Sequence, residues 1–202
     1  RVTRPSLFLL CLLPLLFLIW RIIDGSIGAN PVQAITHATG DWALRLLLVT
    51  LAITPLRHVT GWAWLVRLRR MLGLFAYFSA ALNFTTYIWL YQYFDWNAIV
   101  EDIVKRPYIT VGFVALVLMI PLAVTSTRGW VRRLGARWKQ LHRLVYPIAL
   151  CGVLHYLWLV KADLLEPAIY AVVLAGLLLA RLPLGRIRER IGGRFRWAVI
   201  AR

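Results

Sequence analysis

Acidic side chains are scarce in this chain: eight Asp and Glu stand against 24 Lys and Arg in 202 residues. Cysteine is scarcer still. Cys11 and Cys151 are far apart and share no paired spacing, which excludes a disulfide framework or a zinc ligand set. Each reads as a small apolar filler. No phosphate-cradling glycine loop follows a strand pattern, so no nucleotide-binding motif is present. Internal repeats and low-complexity runs are also missing. What fills the chain instead is apolar: 61% hydrophobic residues and ten Trp, with a mean hydropathy of +0.71. Such a composition excludes an ordinary soluble domain.

A membrane-crossing helix needs about 20 predominantly apolar residues. Six such stretches are legible, over 6–23, 42–58, 71–92, 108–125, 143–160 and 165–182. Pro14, Pro55, Pro121 and Pro147 fall inside them, which a bundle tolerates when neighbours re-satisfy the freed carbonyls. The fold class expected is an all-α membrane protein: a six-transmembrane-helix bundle forming one domain over 1–202, without a soluble appendage. Arg1 and Arg4 ahead of the run Leu7 to Trp20, with Ser26-Ile27-Gly28-Ala29 behind it, have features of a signal peptide. Five further spans follow, and the run is read as the first span.

Charge sets the orientation. Segments 1–5, 57–70, 126–143 and 181–202 hold two, four, six and seven Lys or Arg, which is 19 of the 24. Seven of the eight acidic residues lie on the opposite side, with Glu189 the exception. By the positive-inside rule both termini are expected in the cytoplasm. The formal net charge of +16 is then a topology signal, directed at anionic headgroups. A nucleic-acid partner is not expected, because the basic residues sit on loops between lipid-embedded helices. The segment 126–140 reads as a basic amphipathic surface loop, with Trp130 and Trp138 as interfacial anchors.

Imidazole within a span is expensive and marks ion, proton or metal chemistry. His142 and His155 lie thirteen residues apart at the two ends of the fifth apolar stretch. Counted from Arg70 and Arg143, Asn83 and His155 fall at one depth, roughly 18–20 Å from the basic boundary. His142 lies at that boundary, level with Arg69 and Arg70. Two levels about 20 Å apart emerge, the pattern of transmembrane electron transfer through haem. In a straight helix the two imidazoles would point roughly 140° apart, so either Pro147 re-phases the helix or each ring serves a different neighbour. His58 ends the second span and reads as interfacial, or as a second ligand beside His142. His37, in Thr36-His37-Ala38-Thr39-Gly40-Asp41, is explained by helix capping through Thr39 or Asp41.

Taken in order, these motifs are similar to those of a known family. They comprise Gly28-Ala29-Asn30-Pro31-Val32, His37 with Thr39-Gly40, Ile53-Thr54-Pro55-Leu56 and Arg69-Arg70-Met71-Leu72-Gly73-Leu74. They continue through Arg106-Pro107-Tyr108-Ile109-Thr110, Thr125-Ser126-Thr127, Leu134-Gly135, Trp138, Leu141-His142, Val145-Tyr146 and His155-Tyr156-Leu157-Trp158. Over nearly its whole length the chain resembles the haem-binding membrane subunits of periplasmic methionine-sulfoxide reductase systems. This is the MsrQ or YedZ family, within the ferric-reductase-like transmembrane group.

The resemblance implies haem b between spans three and five, associated FMN, and a bacterial inner-membrane location. It also implies electrons passed outward to a periplasmic molybdopterin-containing methionine-sulfoxide reductase that repairs oxidised proteins. His142 and His155 match two of the family's haem-associated histidines, and both are carried as candidate metal ligands. The third matches Leu82-Asn83-Phe84-Thr85-Thr86-Tyr87, where asparagine replaces the histidine. An amide is a poor ligand for haem iron. Three ligations stay open: His155 alone, a water or weak amide ligand at Asn83, or a ligand recruited elsewhere. A higher-spin, ligand-accessible haem is the expectation.

About twenty Arg-rich residues, including Gly192-Gly193, follow the sixth stretch, with no nicotinamide- or flavin-dehydrogenase motif. Electrons are therefore expected from a quinol or a separate cytoplasmic flavin reductase. Arg69 and Arg70, with Arg57, Arg67, Arg132 and Arg133, are candidates to dock that donor or hold an FMN phosphate. The chain is expected to be an electron-transfer subunit of a reductase complex rather than a stand-alone catalyst. Two alternatives remain open: a ferric-chelate or quinone-linked transmembrane oxidoreductase, and a non-redox anchor or transporter.

Reporter fusions test the topology. A fluorescent protein that matures only in the cytoplasm should light up at both termini. A dark fusion at either end would reverse the orientation.

Overall fold

The structure is a computed structural model that describes residues 3–160 and 164–181. Lys161, Asp163 and the basic segment beyond Arg181, including Glu189 and Gly192-Gly193, lie outside the described residues. Among the described residues all regular structure is helical: α1 Thr3–Ile23, α2 Pro31–Thr60, α3 Arg69–Thr86, α4 Trp96–Lys105, α5 Pro107–Val124, α6 Arg128–Leu134, α7 Ala136–Leu141, α8 Val145–Leu159 and α9 Leu165–Leu179. A π-helical turn, Tyr87–Tyr91, extends α3, and 3₁₀ turns cover Ala63–Arg67 and His142–Leu144.

Four helical stretches are long and apolar enough to cross a bilayer by length and composition: Pro5–Ile23, Pro31–Thr60, Arg69–Tyr91 and Pro107–Val124. The apolar helices α8 and α9 have fifteen residues each, or roughly 22 Å, against a hydrocarbon core of about 30 Å. The 3₁₀ turn at His142–Leu144 runs directly into α8 and lengthens it.

α2 packs along α3 and α5 along α8, while α3 meets α5 and α2 meets α8. These four helices enclose the core. α1 lies outside α2 and α3, pinned by an edge-on contact of Phe8 with Phe75 at 5.3 Å between ring centroids. α9 closes the far side against α8 and α2. Leu51, Ala76, Ile148 and Ala149 are fully buried where helices approach most closely. Small residues at such contacts let backbones come together, which is how packing holds helices in lipid. The outer surface is the reverse of a soluble protein's: Leu9, Leu10, Phe17 and Trp20 on α1, and Val172 on α9, are exposed. A bilayer accepts these side chains without cost.

Several local expectations change. α2 starts at Pro31, eleven residues ahead of the stretch read at 42–58, because the Asn30 side chain accepts a hydrogen bond from the Gln33 N–H (3.3 Å) and Pro31 fits the first helical turn. Thr39 and Asp41 are therefore inside the helix and do not cap it. Thr39 Oγ1 donates back to the Ile35 carbonyl at 2.9 Å. The surface loop expected at 126–140 is two short helices, α6 and α7, with Thr127 capping the first. α4 is amphipathic and capped by Asp95, whose carboxylate accepts from the Asn97 and Ala98 N–H groups at 3.0 and 3.1 Å. It had no counterpart among the six stretches because its ten residues are too few to register as a span.

Pro55 shows how a mid-helix proline is tolerated. Lacking an N–H, it leaves the Leu51 carbonyl without its helical donor. Arg181, just past α9, donates through Nη2 to that carbonyl and through Nη1 to the Tyr146 hydroxyl at 2.8 Å. Its guanidinium also lies 5.2 Å from the centroid of the Tyr146 ring. One side chain thereby ties α9 to α2 and α8.

Replacing Arg181 by Leu leaves the Leu51 carbonyl without a donor and should cost about 1–3 kcal/mol, read as a lower melting temperature in detergent. Adding Pro55→Ala restores an N–H at the right place and should recover most of that loss. A double variant no more stable than Arg181→Leu would mean that the carbonyl is not what Arg181 stabilises.

Candidate haem-binding cavity

The first turns of α5 contain the feature that orients His155. Its Nδ1 lies 2.6 Å from the backbone oxygen of Tyr108. A carbonyl only accepts, so Nδ1 carries the proton and donates. Tyr108 is one turn ahead of Gly112, whose own N–H points at the same oxygen in α-helical geometry. A carbonyl has two lone pairs and serves both donors. The imidazole reaches it by lying across the place where Gly112 has no side chain: a Cβ there would sit 2.6 Å from Nδ1 and 2.9 Å from Cε1. Glycine is required at this close approach.

With Nδ1 protonated and held, Nε2 keeps its lone pair. That is the tautomer of a neutral imidazole ligand whose other nitrogen is fixed by a backbone carbonyl. His155 lines a cavity of about 320 Å³ enclosed by α2, α3, α5 and α8. This volume is at the lower end of the range for ligand sites, about 300–1,000 Å³. Its walls are largely apolar, with Leu44, Leu47, Phe113, Leu116 and Met119 among them, and its polar groups include His37, Asp41, Asn83 and Arg106. Among the described residues no three His, Cys, Asp or Glu side chains converge as a metal cage. A deep apolar slot with a tautomer-locked imidazole suits a haem, whose porphyrin supplies four of the iron's ligands, better than a bare ion.

Asn83 lines the same cavity as His155. Both protons of its amide are committed, to the Thr36 carbonyl at 2.7 Å and the Thr39 hydroxyl at 3.3 Å, so the side chain joins α3 to α2. Gly40 makes room for it, since a Cβ there would lie 3.2 Å from Nδ2. Just ahead of α5, Arg106 pairs with Asp102 at 3.0 Å. Asp102 also accepts hydrogen bonds from Tyr87 (2.9 Å) and Gln92 (2.6 Å). Asp41 and Arg45 lie one turn apart on α2 at 3.8 Å, and Arg45 Nε donates to the Tyr170 hydroxyl of α9 at 2.7 Å.

His142 is elsewhere. It occupies the 3₁₀ turn ahead of α8 and not the helix that carries His155, so the expected azimuth problem does not arise. Its ring stacks on Trp138 at 3.9 Å between centroids, and Nδ1 donates to the Trp138 carbonyl at 3.1 Å. Trp138, read as an interfacial anchor, also donates its indole N–H to the Thr125 carbonyl at 2.9 Å. Arg69 is half-buried near Arg181 and Tyr146, whereas Arg70 and His58 are exposed. The structure thus brings Asn83 and His155 to one cavity and leaves His142, Arg69 and Arg70 outside it. Arg106 and Gly112 belong to the cavity and were not singled out as site residues, and His37, read from the sequence as part of a capped helix start, lines it as well. The spacing Tyr108 to Gly112, one helical turn, was the available signal, but it acquires meaning only once His155 faces it.

Comparison with known proteins agrees with this architecture. Residues 39–153 match the family described as "Ferric reductase like transmembrane component". The chain is 55% identical over 195 residues to the "Protein-methionine-sulfoxide reductase heme-binding subunit MsrQ" of Rhodospirillum rubrum, covering 96% of this chain and 93% of that protein. The protein of the same name from Herminiimonas arsenicoxydans is 55% identical over 181 residues, 88% of this chain and 83% of its own. That from Xanthomonas campestris pv. campestris is 61% identical over 153 residues, 76% and 70% of the two chains. No solved structure matches. The chain belongs to the ferric reductase-like transmembrane family and, within it, to the MsrQ membrane subunits.

Proposed function

We propose that the chain is a haem b-containing electron-transfer subunit of the bacterial inner membrane. In this reading it takes electrons from the quinone pool or a cytoplasmic flavin reductase. It passes them outward to a periplasmic molybdopterin methionine-sulfoxide reductase, supporting repair of oxidised periplasmic proteins. The observation that carries the reading is the His155 imidazole, held through Nδ1 by the Tyr108 carbonyl with Nε2 available in a mostly apolar cavity. The relatives' printed description as haem-binding subunits of that reductase supports it.

Bound haem would supply reversible one-electron transfer at the iron. The chain's own residues do the rest. His155 would hold the iron through Nε2, its ring kept in place by the Tyr108 carbonyl. Leu44, Leu47, Phe113 and Met119 exclude water and keep the local dielectric low. Arg106, at the outer rim, offers a guanidinium suited to propionate carboxylates. Asn83 holds α3 against α2, fixing the wall opposite α8. His142, at the basic face, is a candidate for a second, inner haem. Arg69 and Arg70 are candidates for an FMN phosphate, and no step is derived through that group.

The proposal extends to topology. The chain forms one domain with six crossings, α8 with its preceding 3₁₀ turn and α9 supplying the last two, and with both termini in the cytoplasm.

The test is a pyridine-haemochrome assay and a reduced-minus-oxidised spectrum of the purified chain. Haem b is expected, and His155→Ala should remove the outer haem while His142→Ala spares it. A colourless protein from haem-replete cells would favour a non-redox anchor. Loss of the outer haem in His142→Ala but not in His155→Ala would move the site to the inner level.

A further inference from the structure

Two imidazoles line the outer cavity, and they differ in how their nitrogens are used. His155 has Nδ1 bound to the Tyr108 carbonyl. The His37 ring, on α2, makes no hydrogen bond among the described residues, although it lines the same space. A half-buried imidazole on a cavity wall with no partner among the described residues is free to take one from a bound group. Asp41, one turn along the helix and also on the cavity wall, is close enough to feel the charge of the ring.

Asn83 cannot do what a ring there would do. Both amide protons are given to α2, at the Thr36 carbonyl and the Thr39 hydroxyl, one residue before and two residues after His37. Its remaining amide oxygen is a weak ligand for haem iron, which is suited by imidazole. The turn that carries His37 is held against the bundle by these two bonds. Gly40 eases the approach, since a Cβ there would make a tight contact of 3.2 Å with the Asn83 amide nitrogen.

Resting on the haem reading above, we propose that His37 is the second axial ligand of the haem held by His155. Ligation then comes from α2 and α8, with α3 supplying the asparagine that holds α2 in place. Of the three ligations left open by the sequence this is the ligand recruited elsewhere, and it replaces the expected higher-spin haem with a six-coordinate, bis-imidazole one.

Electron paramagnetic resonance and optical spectra of the full, haem-loaded chain decide it. The wild type should give a ferric low-spin, bis-imidazole signal, and its ferrous form should resist carbon monoxide. His37→Ala should keep haem on His155, lose the low-spin signal, bind carbon monoxide and regain low spin on adding free imidazole. Should that variant lose its haem, His37→Met retains a ligand of a different kind and should change the signal from bis-imidazole to histidine–methionine. A wild-type haem that is high-spin, yet lost in His155→Ala, overturns this inference and leaves the haem reading intact. A bis-imidazole signal unchanged in His37→Ala or His37→Met overturns it as well. A chain without haem, or with haem indifferent to His155, overturns the reading beneath it.

Discussion

One hydrogen bond organises the cavity end of this bundle: the His155 Nδ1–H donated to the Tyr108 carbonyl across the bare backbone of Gly112. It draws α8 onto α5, selects the ring tautomer, and leaves a lone pair facing the cavity. Any side chain at position 112 would occupy the space the ring fills. The bond therefore links a packing constraint to a chemical one. The same glycine that permits close helix approach also determines which nitrogen is free.

Elsewhere the molecule follows the rule that lipid imposes on every polar group. Several polar side chains inside the bundle find partners on a neighbouring helix and act as ties between helices. Arg45 reaches Tyr170 between α2 and α9. Tyr156 donates to Glu166 at 2.8 Å between α8 and the start of α9. Arg181 takes over the carbonyl that Pro55 leaves without a donor. Asn83 joins α3 to α2. Between these ties the contacts are small and apolar, and the outward face is left to leucine, valine, phenylalanine and tryptophan.

The helical class and the apolar stretches were legible because the bilayer demands length and hydropathy, both readable one residue at a time. Helix ends outside the apolar core were not. α2 begins eleven residues early through a cap and a proline, and α4 is too short and too amphipathic to register. His155 and Asn83 could be set at one depth by counting from the flanking arginines, and they line one cavity. The separation of His142 from His155 depends on a 3₁₀ turn at 142–144, which leaves no mark in hydropathy. His37 was read as part of a helix start because the local sequence suits capping. Its position on the cavity wall follows from where α2 crosses α3, a tertiary fact. In the same way, the missing histidine at position 83 looked like a gap in ligation when read within one span. In three dimensions the asparagine holds the neighbouring helix, whose own histidine faces the site.

The two ends of the bundle are thus built differently. One is a stack of Trp138 on His142 beside Arg69, while the other is a mostly apolar cavity lined by His155. The most direct measurement is an experimental structure of the haem-loaded chain. Iron bonded to His155 Nε2 in the cavity between α2, α3, α5 and α8, with Nδ1 still on the Tyr108 carbonyl, is the outcome expected. Haem found beside His142 with the outer cavity closed would refute the assignment.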